Sequence, residues 1–426
     1  MNTTTEMVKM IQSEKLDEKF LDIYADSLNV SYQRKRYIDA ITAYEREFGA
    51  DEISIYSAPG RSEIAGNHTD HQRGEVLVAA VNVDAIAIVR KTDKKEVQLV
   101  SEGYSKMTIS LDDLEAKKEE AGTTLSLVKG VLSELKLRGY KIGGFHAYVT
   151  SDVLIGAGIS SSAAFETLIG TIVSGLYNAM EIPAVEIAMI GQKAENQYFG
   201  KPCGMMDQMA SSVGNLVHID FVDDKNPIIR KVACDFDAFG YSLCITDTKS
   251  SHADCTAEYA AVPAEMKAVA AVFGKEVLRQ VSKEEILGNI GKIREAAGDR
   301  GTLRALHFVM ENERVKQAVA ALDEGEFENF LKCIKASGDS SFKYLQNVYM
   351  NTDIWHQNVS VALALSDVVL AFNGVSRVHG GGFAGTIQAF VKNDFVKTYQ
   401  TYMDSVLGEG ACKVFKIRKF GGIKVI

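Results

Sequence analysis

The amino-acid sequence predicts an α+β fold divided between two domains. Its 426 residues exceed what one ordinary hydrophobic core accommodates, since domains most often contain about 100–150 residues. Short runs rich in Val, Ile and Tyr indicate strands, and longer stretches with apolar residues every three or four positions indicate helices. Both kinds of pattern occur in both halves of the chain, which favours a mixed α+β architecture.

The first half combines a helical start with a series of strands. Residues 1–50 are predicted to be a helical preface, because their apolar residues recur with helical spacing. A helix is expected over residues 123–139, ending at Gly139, and another over residues 162–180. The predicted strands, with polar turns between them, cover residues 53–58, 76–83, 85–91, 94–103, 105–112 and 143–153.

A second mixed region follows Pro227, which lies in a polar stretch. Long helices are predicted over residues 284–299 and 311–334, and a glycine run lies near residue 380. We therefore place a domain boundary near residue 220. The predicted division is a helical preface (1–50), an N-terminal domain (51–220) and a C-terminal domain (221–426).

The composition excludes several classes of protein. A net charge of −9 disfavours an obligate nucleic-acid or membrane-surface partner. The six cysteines are scattered without a C-x-x-C pair, which fits neither a zinc site nor a small disulfide scaffold. No signal-peptide pattern and no run of about 18 apolar residues is present, so a cytoplasmic protein with reduced thiols is expected.

A glycine–serine loop, GAGISSSAA from Gly156 to Ala164, lies between a predicted strand and an apolar helix. Glycines let backbone amides approach an anion, and the helix N-terminus adds positive partial charge. The serine hydroxyls can cap the helix, bind phosphate or ligate Mg²⁺. A dinucleotide fingerprint is disfavoured because Ser161 stands where the third glycine is needed, and no P-loop is present. A capped helix after a tight turn and a phosphate cradle of another kind both stay open.

Three further segments carry polar groups suited to catalysis. SAPGRSEIAGNHTDHQRGEVLVAAV contains Arg61, which can hold a carboxylate or phosphoryl group, and Asp70, which can accept two hydroxyls. KPCGMMDQMASSVG contains Asp207, a carboxylate able to orient a hydroxyl and take its proton. SRVHGGGFAGTIQAFV contains a glycine run, but the G-x-S-x-G elbow that an oxyanion loop of lipases requires is absent. Taken singly, these segments also fit polar turns and loops.

Together the four segments resemble those of the GHMP kinases, and the second resembles the galactokinase signature A-P-G-R-x-N-x-I-G-E-H-T-D-Y. The resemblance implies a two-domain GHMP kinase fold, with a ribosomal protein S5 domain 2-like N-terminal domain and a ferredoxin-like C-terminal domain. It implies that Asp207 and Arg61 form the catalytic pair, and that Ser162 binds Mg²⁺. ATP binding is assigned by the same resemblance to Gly156, Ala157, Gly158, Ile159, Ser160, Ser161 and Ser162. Sugar binding is assigned to Asn67, His68, Asp70, Gly204 and Tyr259.

The sugar motif departs from the family pattern. Glu63 stands where asparagine is usual, and Asn67 stands where glutamate accepts a sugar hydroxyl. Ala65, His71 and Val78 also depart from the pattern. An amide at position 67 loses the charge, so looser discrimination at one sugar hydroxyl is expected, and Asn67→Glu is expected to sharpen it.

The resemblance therefore implies an ATP- and Mg²⁺-dependent sugar 1-kinase, with α-D-galactose as the expected substrate. Two alternatives compete with this interpretation. One is a 1-kinase for another monosaccharide, such as N-acetylgalactosamine or arabinose. The other is a non-catalytic sugar sensor on the same scaffold, which loss of Asp207 or Ser162 would signal; the chain retains both residues.

Overall fold

The computed structural model describes residues 2–153, 158–250 and 255–426. The strands are, in chain order, β1 (Asn2–Thr3), β2 (Glu52–Ala65), β3 (Glu75–Lys91), β4 (Glu96–Ser101), β5 (Met107–Ser110), β6 (Phe145–Ser151), β7 (Leu216–Asp220), β8 (Ile228–Val232), β9 (Tyr241–Asp247), β10 (Gly374–His379), β11 (Thr386–Lys392), β12 (Cys412–Phe415) and β13 (Ile423–Lys424).

The helices are, in chain order, α1 (Thr4–Gln12), α2 (Asp17–Tyr24), α3 (Val30–Phe48), α4 (Thr124–Leu137), α5 (Ser161–Tyr177), α6 (Ala184–Ala194), α7 (Met206–Val213), α8 (Thr256–Val272), α9 (Lys283–Gly288), α10 (Ile290–Asp323), α11 (Phe327–Ser340), α12 (Asn358–Leu370) and α13 (Val396–Leu407). Two short π-helical segments, Glu195–Phe199 and Ser341–Leu345, extend α6 and α11. Across the described residues, no helix is both long and apolar enough to cross a membrane.

Within the described residues, nine strands form a first sheet of order β1-β2-β3-β6-β4-β5, to which β7, β8 and β13 are attached. The β4–β6 pair is parallel, and β2, β3 and β6 pair antiparallel. Four other strands of the described residues form a second, antiparallel sheet of order β10-β11-β9-β12. Sheets and helices thus mix in both halves, which confirms the α+β prediction.

Both faces of the first sheet are covered by helices. Alternate residues of β3 point to opposite faces, as the strand period requires. Ala85, Ala87 and Val89 pack into a core with α4, α5 and α6, whereas Ile86 and Ile88 pack with α1, α2 and α3. The helices predicted for residues 1–50 are present and close the second face of this sheet.

The first sheet extends beyond the boundary predicted near residue 220. β8 follows that position and pairs with β7, and β13 returns from the C-terminus to pair with β2. The second sheet packs against α11 on one side and against α12 and α13 on the other. The change of sheet therefore follows Val232, and the last residues of the chain belong to the first sheet.

The prediction of a turn between residues 76–83 and 85–91 is wrong, because β3 runs unbroken through both. The polar residue between them, Asp84, is fully buried (0% exposed). Its carboxylate accepts hydrogen bonds from Arg36 Nη1 (2.6 Å), Arg418 Nη1 (2.8 Å) and the Tyr24 hydroxyl (2.8 Å). These partners satisfy the charge inside the sheet, so Asp84 ties the N-terminal helices and the C-terminal segment to β3.

We predict that Asp84→Asn lowers the free energy of unfolding by about 3–5 kcal/mol, because it leaves Arg418 buried without a counter-charge and leaves Arg36 paired with Asp152 alone. Urea denaturation measures this change. The matched control is Asp39→Asn, which breaks an exposed pair with Lys35 and should change stability by less than about 1 kcal/mol. Equal effects of the two substitutions would contradict the prediction.

Candidate active site

Arg61 and Asp207 form the centre of the site. Arg61 lies on β2, and Asp207 lies in the first turn of α7. Arg61 Nε and Nη2 donate to the two Asp207 carboxylate oxygens at 2.6 Å each, a planar bidentate pair. The Asp207 side chain keeps 27% of its surface exposed, whereas that of Arg61 keeps 8%. The pair therefore consists of a buried arginine and a carboxylate that is still partly accessible from solvent.

Electrostatics keep this carboxylate ionised. Burial favours the neutral acid, but the Arg61 charge and its hydrogen bonds outweigh burial, and Ser160 and Lys201 add to them, so the pKa of Asp207 is lowered. Ser160 Oγ donates to Asp207 Oδ2 at 2.7 Å. Asp207 is therefore an acceptor at neutral pH, suited to orient a hydroxyl or to take its proton.

The glycine–serine loop adjoins this pair. Arg61 Nη1 donates to the Gly158 carbonyl oxygen, and Arg61 N donates to the Ile159 carbonyl oxygen at 3.0 Å. Gly158 (φ +70°) and Ser160 (φ +56°) both adopt left-handed backbone conformations. For a residue other than glycine, such as Ser160, this conformation is uncommon and is found most often at functional sites. Gly156 and Ala157, predicted to belong to the same loop, lie outside the described residues.

The three serines of the loop have separate surroundings. Ser160 precedes α5, but its hydroxyl binds Asp207 and makes no capping bond. Ser161, the first residue of α5, is half-buried beside it. Ser162 Oγ instead donates to Glu195 Oε1 at 3.0 Å. The Ile159 side chain packs in the core, so its backbone carbonyl is the part that lies at the site.

Glu195 is a functional candidate that the sequence analysis missed. Its carboxylate is nearly buried, with 3% of its surface exposed, and it also accepts hydrogen bonds from Lys201 Nζ (3.1 Å) and Gln208 Nε2 (2.7 Å). Gln208 Nε2 further donates to Glu166 Oε2 at 3.1 Å. Ser162 and Glu195 are 33 residues apart in the chain, so spacing gives no signal that they meet.

The Ser162 hydroxyl and the Glu195 carboxylate are hard oxygen donors, the kind that Mg²⁺ takes. In the described part of the chain, no group of three or more His, Cys, Asp or Glu residues could hold a metal ion. Mg²⁺ in phosphate-transferring sites is typically held by one or two protein ligands, with phosphates and water completing the shell. The two residues therefore fit such an ion.

Asp70 is a second carboxylate near Asp207. Burial raises its pKa to about 6, and the negative charge of Asp207 adds to this increase, while His68 opposes it. Its Oδ1 accepts a hydrogen bond from His71 N at 2.8 Å. A side-chain carbon at Gly204 would overlap the Asp70 carboxylate, so glycine is required for this close approach. Asp70 is thus close enough to Asp207 to feel its charge, and its carboxylate lies directly against Gly204.

His68 and Tyr259 both contact the C-terminal glycine run. His68 Nε2 donates to the Gly381 carbonyl oxygen at 2.9 Å, and the Tyr259 hydroxyl donates to the Gly382 carbonyl oxygen at 2.6 Å. Burial lowers the pKa of His68, so its imidazole is neutral at pH 7. His68 also has a left-handed backbone (φ +57°). The predicted sugar-motif residues and the glycine run are therefore in contact.

Asn67 is placed differently from the other predicted ligands, because its side chain is fully buried (0% exposed). Its Nδ2 donates to Glu63 Oε1 (3.0 Å) and to the Gly380 carbonyl oxygen (2.6 Å). Its Oδ1 accepts from Asn347 Nδ2 (2.7 Å) and Ser341 Oγ (3.2 Å). These contacts use every donor and acceptor of the amide. Asn67 therefore has no polar atom to offer a ligand in this arrangement, and joins protein segments instead.

Glu63, the partner of Asn67, is held by a second ion pair. Arg377 Nη2 donates to Glu63 Oε1 at 2.7 Å, and Arg377 Nη1 donates to the Ile64 carbonyl oxygen at 2.8 Å. Burial raises the pKa of Glu63, against the opposing effect of Arg377. The carboxylate of Glu63 and the amide of Asn67 thus form one buried unit that binds β2 to β10.

The arrangement combines three chemical capacities. A carboxylate held ionised by arginine can orient and deprotonate a hydroxyl. The N-terminus of α5 and the loop before it can bind an anion. The Ser162 hydroxyl and the Glu195 carboxylate, 3.0 Å apart, can together bind a divalent cation. Together they suit phosphoryl transfer to a bound alcohol.

Comparisons with known proteins agree with this chemistry. The galactokinase galactose-binding signature matches residues 42–91, and the GHMP kinases N terminal domain matches residues 126–215. The chain is 31% identical to a galactokinase of Glaesserella parasuis over 360 residues, covering 84% of this chain and 90% of the relative. It is 28% identical to a galactokinase of Lactococcus lactis subsp. lactis over 391 residues, covering 90% and 94%.

Solved structures show the same relationship. The crystal structure of Lactococcus lactis galactokinase complexed with galactose matches with a TM-score of 0.77 and 25% identity, covering 90% of this chain and 98% of that one. A crystal structure of mevalonate kinase matches with a TM-score of 0.60 and 16% identity, covering 86% and 99%. The fold is therefore that of the GHMP kinases, as the sequence predicted.

We predict that Asn67→Glu destabilises the protein by about 3–5 kcal/mol, because it buries a second carboxylate against Glu63 without a new cation. Thermal or urea unfolding measures the loss. The sequence led us to expect sharper substrate discrimination from this substitution, and the burial of Asn67 replaces that expectation with a loss of stability.

The double variant Glu63→Asn/Asn67→Glu restores one carboxylate and one amide. It should regain at least about 1 kcal/mol relative to the sum of the two single effects, because the pair acts as a unit. Strict additivity of the single effects would contradict this interpretation.

Proposed function

The chain belongs to the galactokinase family, and we propose that it is a sugar kinase that transfers the γ-phosphoryl group of ATP to the anomeric hydroxyl of α-D-galactose. The products are galactose 1-phosphate and ADP. The observation that carries this assignment is the bidentate Arg61–Asp207 pair, which is hydrogen-bonded to Gly158 and Ser160 of the proposed nucleotide loop. ATP as the phosphoryl donor is consistent with a cytoplasmic setting.

Asp207 is the proposed catalytic carboxylate. A sugar hydroxyl is a weak nucleophile at neutral pH, and a carboxylate within hydrogen-bonding reach orients it and accepts its proton. The new bond joins the sugar oxygen to the γ-phosphorus, and the bond from this phosphorus to the β–γ bridging oxygen breaks. Because phosphoryl transfer has a loose transition state, correct placement of the hydroxyl contributes much of the rate.

The sugar is proposed to bind between Asp70, His68 and Asp207. Ionised Asp70 can accept two hydroxyl hydrogens, and neutral His68 donates through Nε2 to Gly381, which leaves Nδ1 as an acceptor. Tyr259 and Gly204 are proposed to contact the sugar as well. Asn67 is proposed to act indirectly, by fixing the glycine run over the site.

ATP is proposed to bind with its phosphates at the loop from Gly156 to Ser162 and the N-terminus of α5. The backbone around Gly158 and the dipole of α5 supply the positive potential. In this assignment the nucleotide and sugar motifs belong to residues 51–220, and the glycine run to residues 221–426.

Mg²⁺ is proposed to be held by Ser162 and Glu195 together with the ATP phosphates. Bound there, the ion would neutralise charge on the phosphate oxygens. Gln208 fixes the Glu195 carboxylate from one side. Burial, together with the Glu195 charge, raises the pKa of neighbouring Glu166 well above its usual range, so Glu166 is neutral and adds no charge there.

The first test of this function is a coupled assay of ADP release with Mg·ATP and a panel of monosaccharides. We predict that galactose gives the highest kcat/KM, ahead of N-acetylgalactosamine, arabinose and glucose. Higher kcat/KM with another sugar would overturn the galactose assignment but retain the kinase. Binding of galactose without ADP release from any sugar would overturn both and identify a sensor.

Asp207→Asn is predicted to lower kcat by more than about 100-fold, since the amide can neither accept the proton nor match the Arg61 charge. Asp220→Asn is the matched control, because Asp220 forms an Arg–Asp pair with Arg279 outside the proposed site. Calorimetry with ATP should show that nucleotide binding is retained. A loss below about tenfold would remove Asp207 as the catalytic group.

Ser162→Ala and Glu195→Gln are each predicted to raise the Mg²⁺ concentration needed for half-maximal rate by at least about tenfold, because each removes an oxygen ligand. Titration of the rate with Mg²⁺ after chelator treatment measures this shift. Glu134→Gln is the control, since Glu134 is an equally buried carboxylate that pairs with Lys193. An unchanged Mg²⁺ requirement would leave Ser162 and Glu195 as structural residues.

A further inference from the structure

Lys201 lies where the proposed metal and acceptor ends of the site meet. Its Nζ is 3.1 Å from Glu195 Oε1, the same oxygen that accepts the Ser162 hydroxyl at 3.0 Å. The ammonium and the Ser162 hydroxyl therefore converge on one carboxylate oxygen. The Lys201 charge is also among the causes, after burial, Arg61 and Ser160, that set the pKa of Asp207. The cation thus acts on both ends of the site.

The backbone of Lys201 is anchored, and its side chain is largely exposed. Lys201 N and Gly200 N both donate to the Glu195 carbonyl oxygen, at 3.1 Å and 3.0 Å, at the end of the π-helical segment. Pro202 follows and restricts Lys201 to an extended backbone. The side chain itself is 62% exposed, so it contributes little to folding through burial. Its backbone is therefore anchored next to Glu195, and its ammonium is accessible from solvent.

We propose that Lys201 is a catalytic residue whose ammonium binds the γ-phosphoryl group of ATP during transfer. This inference rests on the proposed function. With Glu195 Oε1 serving as a metal ligand, Lys201 would share that oxygen with a second cation, and phosphate oxygens bound to the same ion would offer it a further negative partner. Charge spreads over the three equatorial oxygens of the phosphoryl group in the transition state. A cation that meets this charge between Glu195 and Asp207 stabilises the transition state more than the ground state.

The chemical step stays balanced with Lys201 in this role. The sugar oxygen forms its bond to the γ-phosphorus, the bridging oxygen leaves with ADP, and the hydroxyl proton goes to Asp207. Lys201 stays protonated throughout, since it acts as a charge and not as an acid. Its contribution therefore depends on a positive charge at this position, which arginine can also supply.

The test compares Lys201→Met, Lys201→Arg and Lys193→Met in the ADP-release assay at saturating galactose and Mg·ATP. Lys193 is the matched control, because it is a partly exposed lysine (40%) whose Nζ lies 3.0 Å from another nearly buried carboxylate, Glu134. We expect Lys201→Met to lower kcat at least about tenfold with galactose KM within about twofold. Lys201→Arg should recover most of the rate, and Lys193→Met should leave kcat within about twofold.

A binding measurement separates this contact from a structural effect. Calorimetry should show that Lys201→Met weakens a non-hydrolysable ATP analogue by about threefold or more while ADP binding stays within about twofold, because ADP lacks the γ-phosphoryl group. Equal losses for both nucleotides, equal effects of Lys201→Met and Lys193→Met on kcat, or full recovery of the rate at high Mg²⁺ would each overturn the proposal. Failure of the wild-type chain to release ADP with any sugar would instead overturn the proposed function itself.

Discussion

Arg61 and Asp207 are separated by 146 residues and meet through two hydrogen bonds of 2.6 Å each. Removing two charged groups from water is costly, and a bidentate geometry offsets that cost only when both partners are held in register. The pair therefore couples the position of β2 to that of α7. Because Arg61 also binds the Gly158 carbonyl and Ser160 binds Asp207, the nucleotide loop is fixed by the same contact. The Arg61–Asp207 pair thus fixes both the catalytic carboxylate proposed for the sugar and the loop proposed for ATP.

A second buried network joins the C-terminal glycine run to this centre. Asn67 bonds to Glu63, Gly380, Ser341 and Asn347, and its backbone carbonyl oxygen accepts from His307 Nε2 at 2.8 Å. Compared with the galactokinase pattern, amide and carboxylate have exchanged places at positions 63 and 67, and in this chain the two side chains contact each other. A buried pair of this kind tolerates exchange of its members only where the surrounding donors match. Here Arg377 donates to Glu63 and Asn347 donates to Asn67, so both members of the exchanged pair have buried hydrogen-bond partners.

Local patterns in the sequence predicted most helices and strands, and they identified the motifs whose residues contact one another in the structure. They failed where the deciding partner is distant in the chain. Asp84 looked like a turn residue because its partners, Arg36 and Arg418, lie 48 and 334 positions away. Glu195 was missed because the sequence around it contains no recognisable motif, and its contact with Ser162 is visible only in the folded chain. The burial of Asn67 depends on contacts 274 to 313 residues distant, which no spacing rule reports.

The charges of the site are balanced in three different ways, and this division has consequences for catalysis. Asp207 is neutralised by Arg61, and Glu166 is kept neutral by burial beside Glu195. Asp70 faces the site with its pKa raised to about 6 by burial and by Asp207, so its ionised form is held at a cost in free energy. Sugar hydroxyls that donate to Asp70 would offset this cost, so part of the binding energy would come from stabilising a carboxylate that burial disfavours. Functional sites commonly retain such an unfavourable charge because groups of the bound ligand stabilise it.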